Sequence, residues 1–128
     1  MSRRPLVTVA ALALVAGCGG GGSSPSNPSP GTGAVGATVT ITSSGVSSKS
    51  VTISTGQVVT FVNNDARPHE IASDPHPAHT DCAPINALAI LSPGQSRNTG
   101  NFTVARSCGY HDHGDEFNTS LQGTITIR

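Results

Sequence analysis

Residues 108–127 read CGYHDHGDEFNTSLQGTITI, and this stretch decides the prediction of the fold. Its last part, residues 124–127, alternates polar and apolar side chains, which is typical of a half-buried β-strand. His111 and His113 stand before that strand, separated by one residue. In an extended segment both imidazoles would share one face while Asp112 points the other way. The stretch therefore predicts a closing strand preceded by two histidines that can reach the same ligand.

Further strand-like segments lie upstream. Apolar side chains alternate or cluster in short runs bounded by turn residues, at 38–42, 51–53, 58–62, 69–72 and 96–104. No helical period is present, so the pattern predicts an all-β, antiparallel β-sandwich. Residues 73–86 carry three prolines and little periodicity. They predict a long loop, and long loops in compact domains are usually functional or disordered.

The N-terminus has the pattern of an export signal. Two arginines precede an apolar run at residues 6–15, and small residues lead into Cys18. This ending resembles the bacterial lipobox, which implies cleavage after residue 17, a lipid on Cys18 and attachment to a membrane. An ordinary cleaved signal that leaves a free Cys18 is the alternative. Residues 18–36 are rich in Gly, Ser and Pro and predict a flexible linker, so the folded domain is expected over residues 37–128. The expected location is the bacterial cell envelope, outside the cytoplasm and lipid-anchored.

Net charge and cysteine content limit the kinds of partner and of metal ligand that fit the chain. Without residues 1–17 the chain carries five basic and seven acidic side chains, a formal charge of −2. This near-neutral balance gives no support for nucleic-acid binding. Cys82 and Cys108 remain once Cys18 is assigned to lipid, and two cysteines in an exported protein favour a disulfide. Cys108 as a metal thiolate stays open as the alternative.

The five histidines fall in two short segments, each beside a strand-like run. Neutral imidazole is the commonest protein ligand for metals, so this clustering predicts a metal site. Isolated surface histidines would be the alternative explanation. The candidate ligands are His113, then His111, then one of His79 and His76, together with His69, which the family resemblance given next places first.

Three segments resemble the cupredoxin family. Residues 56–65 followed by Pro68-His69 resemble its strand, turn and first copper-ligand histidine. Residues 110–113 and 121–125 resemble its C-terminal ligand loop and closing strand, and residues 92–96 resemble the turn before its penultimate hairpin. The resemblance implies a cupredoxin-like Greek-key β-sandwich that binds one copper ion.

The sequence departs from the ligand set for which blue-copper cupredoxins are known, His, Cys, His and Met. The only methionine is Met1, and Leu121 stands at the axial position. If residues 110–111 align with the aromatic-His pair of the family, Asp112 replaces the thiolate. A rival alignment keeps Cys108 as the thiolate and places Glu116 at the axial position. Without sulfur, imidazoles and a carboxylate would form a more conventional site that suits Cu(II).

The expected function is that of an extracytoplasmic, membrane-anchored copper-binding protein. It would serve electron transfer or copper handling and would meet a redox or copper-delivery partner protein. One alternative is a small mononuclear copper redox enzyme with histidine ligands, although no general base or substrate pocket can be recognised in the sequence. The other is a metal-free interaction module that has kept only the fold.

Overall fold

A computed structural model describes residues 29–128. The predicted signal, Cys18 and the first part of the linker lie outside the described residues. Within residues 29–128, no helix has the length and hydrophobicity needed to cross a membrane.

The regular secondary structure of the described chain is almost all short strands. They are β1 (Val35–Thr42), β2 (Gly45–Val46), β3 (Ser50–Ile53), β4 (Val58–Asn63), β5 (His69–Ser73), β6 (Ile90–Leu91), β7 (Ser96–Asn98), β8 (Ser107–Asp112) and β9 (Gly123–Ile127). A one-turn helix, α1 (Ala83–Asn86), lies between β5 and β6, and two 3-10 turns (His113–Asp115 and Thr119–Leu121) lie between β8 and β9.

The strands form two sheets that pack face to face. One sheet has the order β2-β1-β4-β7 and the other β3-β9-β8-β5-β6. The β-sandwich prediction is confirmed, but the sheets are mixed, because β1 pairs with β4 and β3 with β9 in parallel. After β1 and β2 the chain crosses to the second sheet as β3 before β4 returns beside β1. Such a crossover brings neighbouring strands into the same direction.

The core lies between the two sheets and contains the only tyrosine of the chain. Val39, Ile41 and Phe61 face it from the first sheet, and Ile71 and Tyr110 face it from the second. The Phe61 and Tyr110 rings meet edge to face, with centroids 5.2 Å apart. Burial raises the pKa of Tyr110 to about 12. Strand β8 is therefore fixed to the core through its inward side chains.

Two element boundaries differ from the sequence prediction. Strand β1 begins at Val35, and the amide of Gly31 donates to the carbonyl of Thr99 at 2.8 Å, so the end of the predicted linker packs on the domain. The predicted strand 96–104 is reduced to β7, Ser96–Asn98. The chain leaves the sheet there because the Thr99 hydroxyl accepts from the Val59 amide, and Gly100 donates to the Pro84 carbonyl.

Candidate metal centre

The pairing of β5 with β8 places the side chains of His111 and Asp112 on opposite faces of the second sheet. Ala72 lies opposite His111, and Ile71 lies opposite Asp112. Ile71 belongs to the core, so Asp112 points into the sandwich, while His111 lies on the outer face. The predicted alternation between His111 and Asp112 is present.

Four histidines meet on that outer face. His76 and His79 come from the loop after β5, His111 from β8 and His113 from the 3-10 turn that follows it. Each contributes a ring nitrogen, and these four nitrogens all lie within 4.8 Å of one another. The structure thus brings together four of the five histidines that the sequence singled out.

The spacing of the rings suits a single ion. His79 Nε2 and His113 Nδ1 lie 3.1 Å apart. Nitrogen ligands bound about 2.0–2.1 Å from one ion are at most about 4 Å apart. Small inward rotations of the side chains are therefore enough for all four nitrogens to share an ion.

His111 is prepared for ligation by its surroundings. Its ring is buried, and Nδ1 lies 2.7 Å from Oδ1 of Asp74. A carboxylate can only accept, so the proton belongs on Nδ1 and the lone pair on Nε2. That Nε2 is buried and has no hydrogen-bond partner. A carboxylate that orients a histidine whose other nitrogen is left free is the usual arrangement around a metal-bound imidazole.

Asp74 reaches His111 because its own backbone is fixed to β8. Its amide donates to the carbonyl of Gly109 at 3.1 Å, and its carbonyl accepts from the amide of Asp81 at 2.9 Å. A Cβ atom at position 109 would overlap the Asp74 carboxylate. The glycine on β8 therefore makes room for the side chain that orients the neighbouring ligand.

A disulfide between Cys82 and Cys108 ties the two halves of the cluster together, as predicted. Cys82 ends the loop that carries His76 and His79, and Cys108 lies three residues before His111. Both cysteines are buried in the core, with Cα atoms 5.8 Å apart. Cys108 is thereby removed as a thiolate ligand, and the rival alignment that used it does not hold.

His79 occupies a constrained position in the loop. Its backbone has φ of 49°, in the left-handed region that non-glycine residues adopt only at a cost of about 1–3 kcal/mol. Its amide donates to the Pro75 carbonyl, and its carbonyl accepts from the Asn86 side chain. Burial, followed by repulsion from the neighbouring imidazoles, lowers the pKa of His79. Near neutral pH this favours the uncharged form that binds metals.

His69, predicted as the first copper ligand, does not belong to the group of four. Its Nδ1 lies 2.5 Å from Oδ2 of Asp112, and its Nε2 lies 2.9 Å from Oδ2 of Asp65. Both ring nitrogens thus face carboxylates, and neither is available to an ion. The hydrogen bond from His69 holds the pKa of Asp65 below its usual value, against the opposing effect of burial. We therefore leave His69 out of the proposed ligand set.

Asp112 instead fastens the end of β8 from inside the sandwich. One carboxylate oxygen binds His69, and the other accepts from the amide of Gly114 at 3.0 Å. This second bond fixes the turn that carries His113. The buried contact between His69 and Asp112 and the outer histidine cluster thus lie on opposite faces of the end of β8.

Comparison with solved structures identifies the architecture. An amicyanin variant in the Cu(I) state superposes with a TM-score of 0.58 at 22% identity, covering 73% of this chain and 83% of that chain. The amicyanin of Paracoccus versutus gives a TM-score of 0.55 at 22% identity, covering 74% of this chain and 81% of that chain. The domain has the cupredoxin fold. A purple cupredoxin from Nitrosopumilus maritimus matches with a TM-score of 0.53 at 17% identity, over 72% of this chain and 99% of that chain.

Sequence comparison adds nothing to this result. No family model matches the chain, and no curated protein matches it in sequence. The structural neighbours therefore assign the cupredoxin fold, and the chemistry of the site rests on this chain's own residues.

The sequence resemblance implied a different ligand position. In the alignment that it suggested, His69 takes the position of the first histidine and Asp112 that of the thiolate. The structure places them in direct hydrogen-bond contact, at 2.5 Å. Two ligands on opposite sides of one ion would be about 4 Å apart. In this cupredoxin-fold domain the four-histidine cluster therefore lies on the other face of β8 from the ligand position implied by the resemblance.

Proposed function

We propose that this chain is an extracytoplasmic copper-binding protein, tethered to a membrane through Cys18, with its copper site at His76, His79, His111 and His113. The observation that carries the proposal is the free Nε2 of His111. It is buried, its ring is held in place by Asp74, it has no hydrogen-bond partner, and it lies within 4.8 Å of a nitrogen of each of the other three imidazoles. A buried nitrogen without a partner costs free energy, and a metal ion bound there would remove that cost.

The donor set favours copper(II) among the common divalent metals. Imidazole suits copper, zinc and nickel, and affinity at a given nitrogen site rises along the series to copper. Both cysteines of the described domain are in the disulfide, and its sequence contains no methionine. The soft sulfur ligands that would select Cu(I) are therefore missing from residues 29–128.

Copper handling fits this donor set better than rapid electron transfer. Bound copper would supply one-electron redox chemistry between Cu(II) and Cu(I). Fast electron-transfer sites use a thiolate, two histidines and a weak axial ligand. Four imidazoles held by a disulfide-anchored loop instead suit stable retention of the oxidised ion and its exchange with a partner protein.

Titration of the soluble domain with Cu(II) tests the site. We expect one equivalent to bind, with a pale colour and an electron paramagnetic resonance spectrum of ordinary hyperfine splitting and nitrogen couplings. Affinity should fall in acid, because protons then compete with the metal for the imidazole nitrogens. Zn(II) should bind the same site more weakly than Cu(II). Failure to bind copper would leave only the metal-free interaction module, and an intense thiolate-to-copper band would contradict the disulfide.

Membrane attachment is tested on the full chain in a bacterial host. The chain should partition into detergent with the membrane fraction and carry a lipid on Cys18. Cys18→Ser should abolish lipidation and prevent processing at residue 17, while copper binding by the folded domain stays unchanged. A mature wild-type chain that is soluble and unlipidated would contradict the anchor without affecting the copper site.

A further inference from the structure

A cleft borders the four-histidine cluster. It has a volume of about 630 Å³ and opens to solvent between the loop after β5 and the segment between β8 and β9. Its walls include Lys49, His76, His111, Glu116, Phe117 and Thr124. This volume lies within the range of about 300–1,000 Å³ that is typical of small-molecule sites. Such a cleft could not be predicted from local sequence patterns, because its walls come from four separate segments.

The cleft and the cluster share two side chains. His76 and His111 belong to the group of four and also line the cleft. The His76 side chain is one third exposed, whereas His111 is buried beneath the loop. A molecule in the cleft would therefore lie against two of the proposed ligands.

The charges around the cleft favour an anion once copper is bound. Imidazoles are neutral ligands, so they leave the full double positive charge of the ion uncompensated. Lys49 adds a third positive charge, and only one of its three ammonium protons is used, on the Thr119 carbonyl at 2.8 Å. Two carboxylates line the same cleft, but Asp74 is bound to His111, and Glu116 lies 3.9 Å from His76. Positive charge therefore exceeds negative charge around the loaded site.

The rim of the cleft keeps it accessible. Phe117 is 88% exposed and forms an apolar edge. The segment that carries it is fixed, because the Gln122 side chain donates to the Glu116 carbonyl at 2.6 Å and Asn118 caps the following 3-10 turn. A small ligand can therefore enter a preformed cleft without displacing a strand.

We propose that this cleft is a binding site for a small inorganic anion, which is held by Lys49 and lies next to the metal at the four-histidine cluster. The inference rests on the proposed copper site and adds a ligand class to it. An anion site would also distinguish two roles for the protein. A copper carrier needs no second ligand, whereas a copper centre that reacts with small molecules needs a place to bind one beside the metal.

Azide titration of the Cu(II)-loaded domain tests this site. We expect a new azide-to-copper absorption band and a changed electron paramagnetic resonance spectrum that saturate together. Lys49→Ala should weaken azide binding by about threefold to fivefold, the size of one partly screened charge interaction. Thr124→Trp, which fills the cleft, should block azide without reducing copper stoichiometry. Arg67→Ala is the matched control, since that exposed cation lines a different cleft, and it should leave azide affinity unchanged.

The possible outcomes distinguish a failure of the copper site from a failure of the anion site. A domain that binds no copper would contradict the proposed function. A domain that binds copper but shows no spectral response to azide would overturn the anion site and leave the copper site standing. An azide response that ignores Lys49→Ala, Lys49→Glu and Thr124→Trp would also overturn it, because the anion would then reach the metal by another route.

Discussion

Replacing His111 with alanine is expected to lower the affinity for Cu(II) by at least about 100-fold. The substitution removes the one side-chain nitrogen within residues 29–128 that is buried without a hydrogen-bond partner. Loss of an outer hydrogen-bond partner of a ligand typically costs about 10–100-fold in metal affinity, and loss of the ligand itself should cost more. Asp74→Asn should give that smaller effect. Isothermal titration calorimetry in competition with a chelator of known affinity would measure both values.

Replacing His69 with glutamine should lower the stability of the domain and leave its copper binding intact. One equivalent of Cu(II) should still bind, because the four clustered nitrogens remain. The melting temperature of the metal-free domain should fall by more than about 5 °C, because two buried carboxylates lose the ring that joins them. If His69→Gln abolished copper binding while His111→Ala did not, the metal would lie inside the sandwich, and the outer cluster would not be the site.

Removing the disulfide should have the largest effect on stability. The Cys82→Ser/Cys108→Ser double variant is expected to lose about 3.5 kcal/mol of unfolding free energy, the loop-closure value for a separation of 26 residues. Copper affinity should fall as well, because the loop with His76 and His79 would lose its covalent tie to β8. Urea denaturation followed by circular dichroism would measure the first effect and copper titration the second.

The two effects of the disulfide can be separated. Ile85→Ala, at a fully buried core position on α1, should also lower stability, but it leaves the tie between loop and strand intact. If the double-serine variant and Ile85→Ala lost equal stability and kept equal copper affinity, the disulfide would have no role in arranging the ligands. Unreduced protein should contain no free thiol in the folded domain.

Much of the fold could be predicted from local patterns. The runs that became β4 and β9 combine β-branched residues with alternation, so their strand state needs no tertiary information. Local patterns could not predict that the strand beginning at Ser96 ends at Asn98 and does not continue to residue 104. Thr99 and Gly100 bond to Val59 and Pro84, which are distant in the sequence. The parallel pairing of β1 with β4 was missed for the same reason, since it depends on a crossing between sheets.

The site was predicted less completely than the fold. The alternation of His111 and Asp112 correctly separated them onto two faces, and the structure brings the two loop histidines next to His111 and His113, where their role as ligands stays a prediction. His69 was ranked first because it follows Pro68 in the family pattern, but Asp65 and Asp112 occupy its nitrogens. Asp65 lies four residues before His69, and this spacing was the one local signal for that contact. Lys49 carried no signal, because its place in the wall of the cleft depends on long-range contacts, such as the bond from the Thr124 amide to its carbonyl.

The end of β8 has a consequence for how rapidly the protein would exchange its metal. Asp112 and His111 are both almost fully buried, but His111 and His76 also line an open cleft beneath the loop after β5. A metal at the outer cluster would therefore have a path to solvent that does not require the two sheets to separate. Ions held there should be surrendered to a competing chelator faster than global unfolding permits.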